Sequence, residues 1–207
     1  MPPDNQIRAF LAVHPADEWH RELSLRVDPL VLALKGCSAL RWAPSHHWHL
    51  TLQFLGNWPE VRLKKLREAL GARNSTPAFT LQPRGMGAFP DLKRPRVLFL
   101  QLDEGQTIVN LAGWVREVVQ EIWPGGPQDI GTFRPHLTLA RVKGELSAGE
   151  RDRLGALDLT GLPSLPVSEF CLVGSRLSAS GARHTVLESW PLATGPSAEQ
   201  GPDRPCK

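Results

Sequence analysis

Two stretches of the chain, His49-Leu50-Thr51-Leu52 and His136-Leu137-Thr138-Leu139, hold a histidine and a threonine two residues apart inside an apolar run, and each lies in the same succession of elements. Strand, helix, His-x-Thr strand, helix, strand is read once from Ile7 and again from Val97. The two histidines are 87 residues apart and the two opening strands 90. A duplication of this kind fits two similar halves that face each other and bring their histidine strands together, with the strands that cross between the halves left open by the sequence. Residues i and i+2 of a strand share a face, so each stretch presents an imidazole and a hydroxyl together while its leucines pack behind.

The periodicities around these stretches predict the other elements. An apolar strand is expected near Ile7–Val13, then a helix from about Asp17 to Lys35 with Trp19, Leu23, Val27, Val31 and Leu34 at helical spacing, bent or broken by Pro29. The His49 strand should run to Leu55, and Pro59-Glu60 should open a helix ending near Leu70-Gly71. A strand follows at Ala78–Gln82. Gly85-Met86-Gly87-Ala88-Phe89-Pro90 reads as a loop, because its glycines and proline interrupt both periods. The second half predicts a strand at Val97–Leu102, a helix carrying Ile108, Leu111, Val115, Val118 and Ile122, a Gly/Pro-rich connection, and the His136 strand. Ser147-Ala148-Gly149-Glu150 has the form of a capping box opening a short helix to about Leu157. Two last strands, Val167–Ser175 and Arg183–Trp190, should form a hairpin around Ser180-Gly181.

These segments predict one domain over 1–192, made of pseudo-repeats at about 7–83 and 97–175 plus the hairpin, with a disordered Gly/Pro/Ser-rich tail over 193–207. Cys37, Cys171 and Cys206 are too few and too scattered for a disulfide framework, so a reducing compartment is expected. Met1–Gln6 lacks the basic-then-apolar pattern of a secretory signal, and no apolar run approaches the ~20 residues of a membrane span. A cytoplasmic monomer with no membrane partner is the expectation. Twenty-four Lys and Arg against 21 Asp and Glu leave a net charge of +3, which permits a phosphate-bearing partner without requiring one.

Two opposed imidazoles can divide general acid and general base work near neutral pH. Threonine hydroxyls can donate to phosphoryl oxygens as charge builds on a pentacovalent phosphorus. A cyclic phosphodiester suits such a cleft, because water enters on one side while an alkoxide leaves on the other. A zinc site on His49 and His136 lacks a third or fourth ligand in either motif, so neither metal nor cofactor is expected. His46 and His47 are read as loop residues.

Three segments together carry a specific resemblance: His49-Leu50-Thr51-Leu52-Gln53-Phe54-Leu55-Gly56, Gly87-Ala88-Phe89-Pro90 with Arg96-Val97-Leu98-Phe99, and Phe133-Arg134-Pro135-His136-Leu137-Thr138-Leu139-Ala140-Arg141. Over nearly all of Ile7–Leu192 the chain resembles the 2H phosphoesterase superfamily, and within it the bacterial and archaeal RNA 2',3'-cyclic phosphodiesterases once called 2'-5' RNA ligases. The resemblance implies an α+β fold, bilobal and duplicated about a pseudo-two-fold, with antiparallel sheets flanking a central cleft and helices outside. It implies hydrolysis of RNA ends or nucleoside 2',3'-cyclic phosphates to 2'-phosphates. His49 would then donate a proton to the leaving 3'-oxygen, His136 would act as base toward water, and Thr51 and Thr138 would bind phosphate. The polarity of the pair rests on the resemblance alone, since either imidazole could start protonated.

Arg141 matches the family's phosphate-neutralising arginine, yet its odd offset from His136 turns it away in an ideal strand, so a bulge or the strand's end must redirect it. Arg134 is a second candidate for phosphate. Phe54, Phe89 and Phe99 are candidates to stack a base; Phe89, in the Gly/Pro segment, is the better one, whereas Phe54 shares the Leu50 and Leu52 face by alternation and is expected in the core. His184 stands where relatives usually have tyrosine and is read as a surface or hairpin residue. The reverse reaction, 2'-5' ligation, is one rival. The other is a non-catalytic RNA- or nucleotide-binding module, against which the two intact histidines weigh.

Overall fold

The computed structural model describes residues 6–126, 131–159, 161–178 and 181–193. Strand β1 (Gln6–Val13) leads into helix α1 (Asp17–Ala33), short strand β2 (Leu40–Trp42), a 3-10 turn at Ser45–His47, strand β3 (Leu50–Pro59), helix α2 (Glu60–Arg73) and strands β4 (Phe79–Leu81) and β5 (Pro83–Phe89). The second half follows with β6 (Val97–Leu102), α3 (Gln106–Ile122), β7 (His136–Val142), α4 (Ala148–Gly155), β8 (Leu165–Val167), β9 (Glu169–Ser178) and β10 (Gly181–Pro191).

The strands form one antiparallel sheet in the order β10-β9-β1-β3-β7-β6-β5, with β2 also on β7, and a separate β4-β8 pair. Elements cross between the halves: β5 pairs with β6, and β9 pairs with β1. The two sides meet at β3 and β7, joined through the register pair Leu50–Leu137. The largest of three apolar clusters among the described residues lies behind the sheet. It combines Leu11 and Val13 of β1, Leu50, Leu52 and Trp58 of β3, Leu137 and Leu139 of β7 and Leu172 of β9 with the inner faces of the helices. Each leucine fully removed from water there contributes about 1.5–3 kcal/mol. No helix among the described residues is long and apolar enough to cross a membrane.

The helices follow from their apolar stripes. Trp19, Leu23, Val27 and Leu30 are the buried face of α1, and Asp17 and Glu18 place negative charge in its first turn, where the helix dipole favours it. Pro29 does not end this helix, which continues to Ala33. In α3, Ile108, Leu111, Ala112, Val115, Val118 and Val119 are buried. The capping box at α4 is present: Ser147 N donates to Glu150 Oε2 at 2.7 Å, and Glu150 N donates to Ser147 Oγ at 3.3 Å.

The segment expected as a loop at Gly85–Pro90 is strand through Phe89. Its composition is poor for a strand, but pairing with β6 overrides propensity, and the glycines have particular tasks. Gly85, at φ +109°, sits where the register with β6 shifts. At Gly87 a Cβ would stand 2.4 Å from Phe99 Cε2, so only glycine lets the Phe99 ring lie across the strand. β2 and β8, three residues each, were not anticipated. Ala193, assigned to the tail, bridges to Pro77, while 194–207 and the hairpin turn at 179–180 lie outside the described residues.

Candidate active site

His49 directly precedes β3 and His136 opens β7, and the two strands meet antiparallel at Leu50–Leu137. This register sets His49 across from Thr138 and Thr51 across from His136 as the strands diverge. All four side chains are half-buried, while the intervening Leu50 and Leu137 are buried in the core. The alternation read from the sequence therefore holds over both His-x-Thr units.

The two imidazoles are held in the same way. His49 Nδ1 lies 2.6 Å from the His47 carbonyl and His136 Nδ1 lies 2.7 Å from the Arg134 carbonyl, each reaching back two residues. A carbonyl only accepts, so each Nδ1 carries the donated proton and each Nε2 remains the atom that can exchange a proton in the cleft. Arg134, proposed from the sequence for its guanidinium, contributes this carbonyl; its residue is exposed.

Aromatic rings fix the imidazole planes. Phe10 stacks on His49 at 4.7 Å and 24°. Phe99 and Phe89 each contact His136 at 5.1 Å and pack on each other at 4.3 Å. Phe89 is thus at the site, at the end of β5, half-buried against the second histidine.

Each histidine strand has a bulge at the same place. Opposite β1 the register skips Leu52, and opposite β6 it skips Leu139, in both cases three residues after the histidine. A bulge reverses the alternation beyond it. Arg141 is thereby returned to the His136 and Thr138 face, which supplies the redirection its odd offset required, and it is exposed there. The same event in β3 corrects the reading of Phe54. Gln53 takes the buried place, and Phe54 emerges on the His49 and Thr51 face, 49 % exposed with its ring 6.0 Å from Phe10. Phe54 and Arg141 therefore occupy corresponding positions, five residues after their histidines.

The surroundings of His49 were not legible in the sequence. His184 meets it edge-on at 5.5 Å and stacks on His47 at 4.4 Å, and His14 lies 5.6 Å from His49. His184, expected as a surface or hairpin residue, is brought there by the register that pairs it with Ser175 of β9. Burial pushes the His49 pKa down to about 4, aided by His14, His184 and His47 and opposed by the bond to the His47 carbonyl. Burial, then the neighbouring imidazoles, also take His184 down to about 4. His136 is lowered by burial and partly restored by the Arg134 carbonyl.

A cleft in which two His-x-Thr strands meet across an antiparallel α+β sheet defines the two-histidine phosphoesterases. The LigT like phosphoesterase family matches at residues 25–99. An RNA 2',3'-cyclic phosphodiesterase of Thermus thermophilus is 38 % identical over 96 % of this chain and 98 % of its own length. One of Methanothermobacter thermautotrophicus is 31 % identical over 90 % of this chain and 100 % of its own. Among solved structures, a Thermus thermophilus protein superposes with a TM-score of 0.75 at 30 % identity, covering 91 % of this chain and 99 % of that one. Escherichia coli LigT complexed with 3'-AMP does so at 0.72 and 25 % identity, covering 91 % and 99 %. The chain belongs to the LigT-like phosphoesterase family.

Proposed function

We propose that this protein hydrolyses RNA 2',3'-cyclic phosphate termini, and nucleoside 2',3'-cyclic phosphates, to 2'-phosphates by general acid/base catalysis between His49 and His136. The observation that carries the reading is the matched anchoring of the two imidazoles, each with Nδ1 on the carbonyl two residues back and Nε2 left to exchange a proton. The relatives named RNA 2',3'-cyclic phosphodiesterase support the substrate. So does the phosphate-bearing ligand of Escherichia coli LigT, 3'-AMP.

In this mechanism His136 Nε2 removes a proton from water as the water oxygen bonds to phosphorus, opposite the 3'-oxygen. The P–O3' bond breaks, His49 Nε2 delivers its proton to that oxygen, and the 2'-phosphate remains. Thr51 and Thr138 donate to the non-bridging oxygens, Arg141 neutralises phosphate charge, and Phe89 and the exposed Phe54 offer rings to a base. One turnover leaves His136 protonated and His49 neutral, and exchange with solvent resets them.

The electrostatics add a condition to this polarity. Burial and the nearby imidazoles make His49 hard to protonate near neutral pH. An anionic phosphate beside it favours the imidazolium, so the substrate itself must raise the His49 pKa before the proton can be given up.

The test presents an RNA ending in a 2',3'-cyclic phosphate, with and without a 5'-hydroxyl acceptor, in the presence of a chelator, and identifies the product by 31P NMR. The expected result is a terminal 2'-monoester, formed faster than any 2'-5' linkage. Predominant joining would favour the ligase alternative, and a 3'-monoester would contradict the assigned leaving group.

A further inference from the structure

The near-balance of charge over the whole chain conceals one strongly one-sided place. A groove of about 630 Å³ runs between the segment after β5 and the segment after β7, lined by Lys93, Arg94, Arg96, Lys143 and Arg151 against a single acid, Glu145. Among the described residues, none of these five cations belongs to an ion pair. The nearby Asp91 carboxylate is engaged by the backbone N–H groups of Lys93 and Arg94, at 2.7 and 2.9 Å.

Backbone hydrogen bonds tie the walls of this groove to the strands that carry Phe89 and Arg141. Arg96 N donates to the Phe89 carbonyl at 2.7 Å, and the Phe89 ring touches His136. Val142 N donates to the Arg96 carbonyl, so the residue after Arg141 is fastened to the groove's rim. Arg141 is also directly opposite Arg41 of β2, on the same face. Like charges in that relation repel, and so do five cations around one groove that no carboxylate of the described residues pairs, Arg151 donating instead to the Leu146 carbonyl. An elongated polyanion leaving the cleft past Phe89 and Arg141 would relieve both.

We propose that this groove holds the phosphodiester backbone of the RNA chain that leads 5' away from the reacting end. The proposal rests on the cyclic phosphodiesterase reading and extends it from a terminal nucleotide to an oligonucleotide. Phosphate contacts of this kind carry no sequence preference, and they make binding salt-dependent.

The experiment measures, by fluorescence anisotropy on the full chain, the Kd of a labelled RNA of six nucleotides ending in a 2'-phosphate, at about 50 and 200 mM salt. The comparison variant carries Lys93→Gln, Arg94→Gln and Lys143→Gln, all at exposed positions. The three phosphate contacts removed predict that the wild-type Kd weakens about 20-fold more over that range than the variant's, and that the variant binds at least tenfold more weakly at the lower salt. Equal affinities and equal salt slopes would overturn the proposal. So would displacement of the RNA by inorganic phosphate at the same total phosphate concentration, which would make the groove a small-anion site. Binding is read without turnover. A chain that bound as predicted yet opened no cyclic phosphate would refute the hydrolase reading and retain the groove.

Discussion

Replacing either His49 or His136 with alanine is expected to lower kcat for opening a 2',3'-cyclic phosphate by about 10²–10⁴-fold, the range supplied by a positioned proton donor or acceptor. The double variant should fall little further, because an acid and a base that act in one displacement are not additive. The fold should survive. Each imidazole is half-buried, its Nδ1 is bonded to a local carbonyl, and the Phe10 and Phe99 rings that pack on them belong to β1 and β6. Thermal unfolding of the variants checks this, so that lost activity is read as lost chemistry. Wild-type rates in both single variants would remove these residues from the mechanism.

Acid should destabilise this protein at a pH where most proteins are still indifferent. His14, His47, His49, His136 and His184 all have pKa values below the ordinary 6.5 in the folded chain. The unfolded chain therefore binds more protons than the native one between those values and 6.5, and stability falls as pH is lowered through that window. For His49, a displacement from 6.5 to about 4 corresponds to roughly 3 kcal/mol when complete. His184 is more open to solvent and contributes less. Glu121 and Glu150, whose pKa values are lowered, stay ionised down to the carboxylate range. A loss between pH 6.5 and 5 thus belongs to the imidazoles. Urea midpoints should drop across that interval, and His184→Gln should flatten the drop by removing one proton site and relieving its neighbours. An unchanged midpoint between pH 6.5 and 5 would contradict the buried, mutually opposed cluster.

The central geometry was legible because it depends on local rules. Alternation assigned His49, Thr51, His136 and Thr138 to one face and their leucines to the core, and Ser147 with Glu150 announced a helix start. What alternation could not locate was its own interruption. For Arg141 a known offset demanded a bulge and the demand was met. For Phe54 nothing demanded one, so unbroken alternation put an exposed ring in the core. The strand at Pro83–Phe89 was hidden for a different reason. Its glycines break propensity but admit the Phe99 ring, a requirement visible only once β5 and β6 are paired. The imidazoles around His49 come from β3's approach, the end of β1 and the β10 register, three places whose meeting is a property of the sheet order and not of any one segment.

That crowding bears on catalysis as much as on stability. Because His49 and His136 are both lowered in the free protein, the limbs of a pH profile for kcat/KM, which report free-enzyme groups, should be displaced toward acid relative to ordinary imidazoles. Removing one histidine should remove one limb, which would also assign the donor and the acceptor without appeal to relatives.

The pH dependence of kcat/KM on a nucleoside 2',3'-cyclic phosphate, from about pH 5 to 9, is therefore the most direct measurement of whether two imidazoles share this reaction. The paired-histidine cleft predicts a rate that depends on pH across that interval, as the alkaline side of a bell whose maximum lies below the ordinary imidazole pKa, falling toward pH 9 as the group that must carry a proton loses it. A rate that stays flat across that whole interval would contradict it.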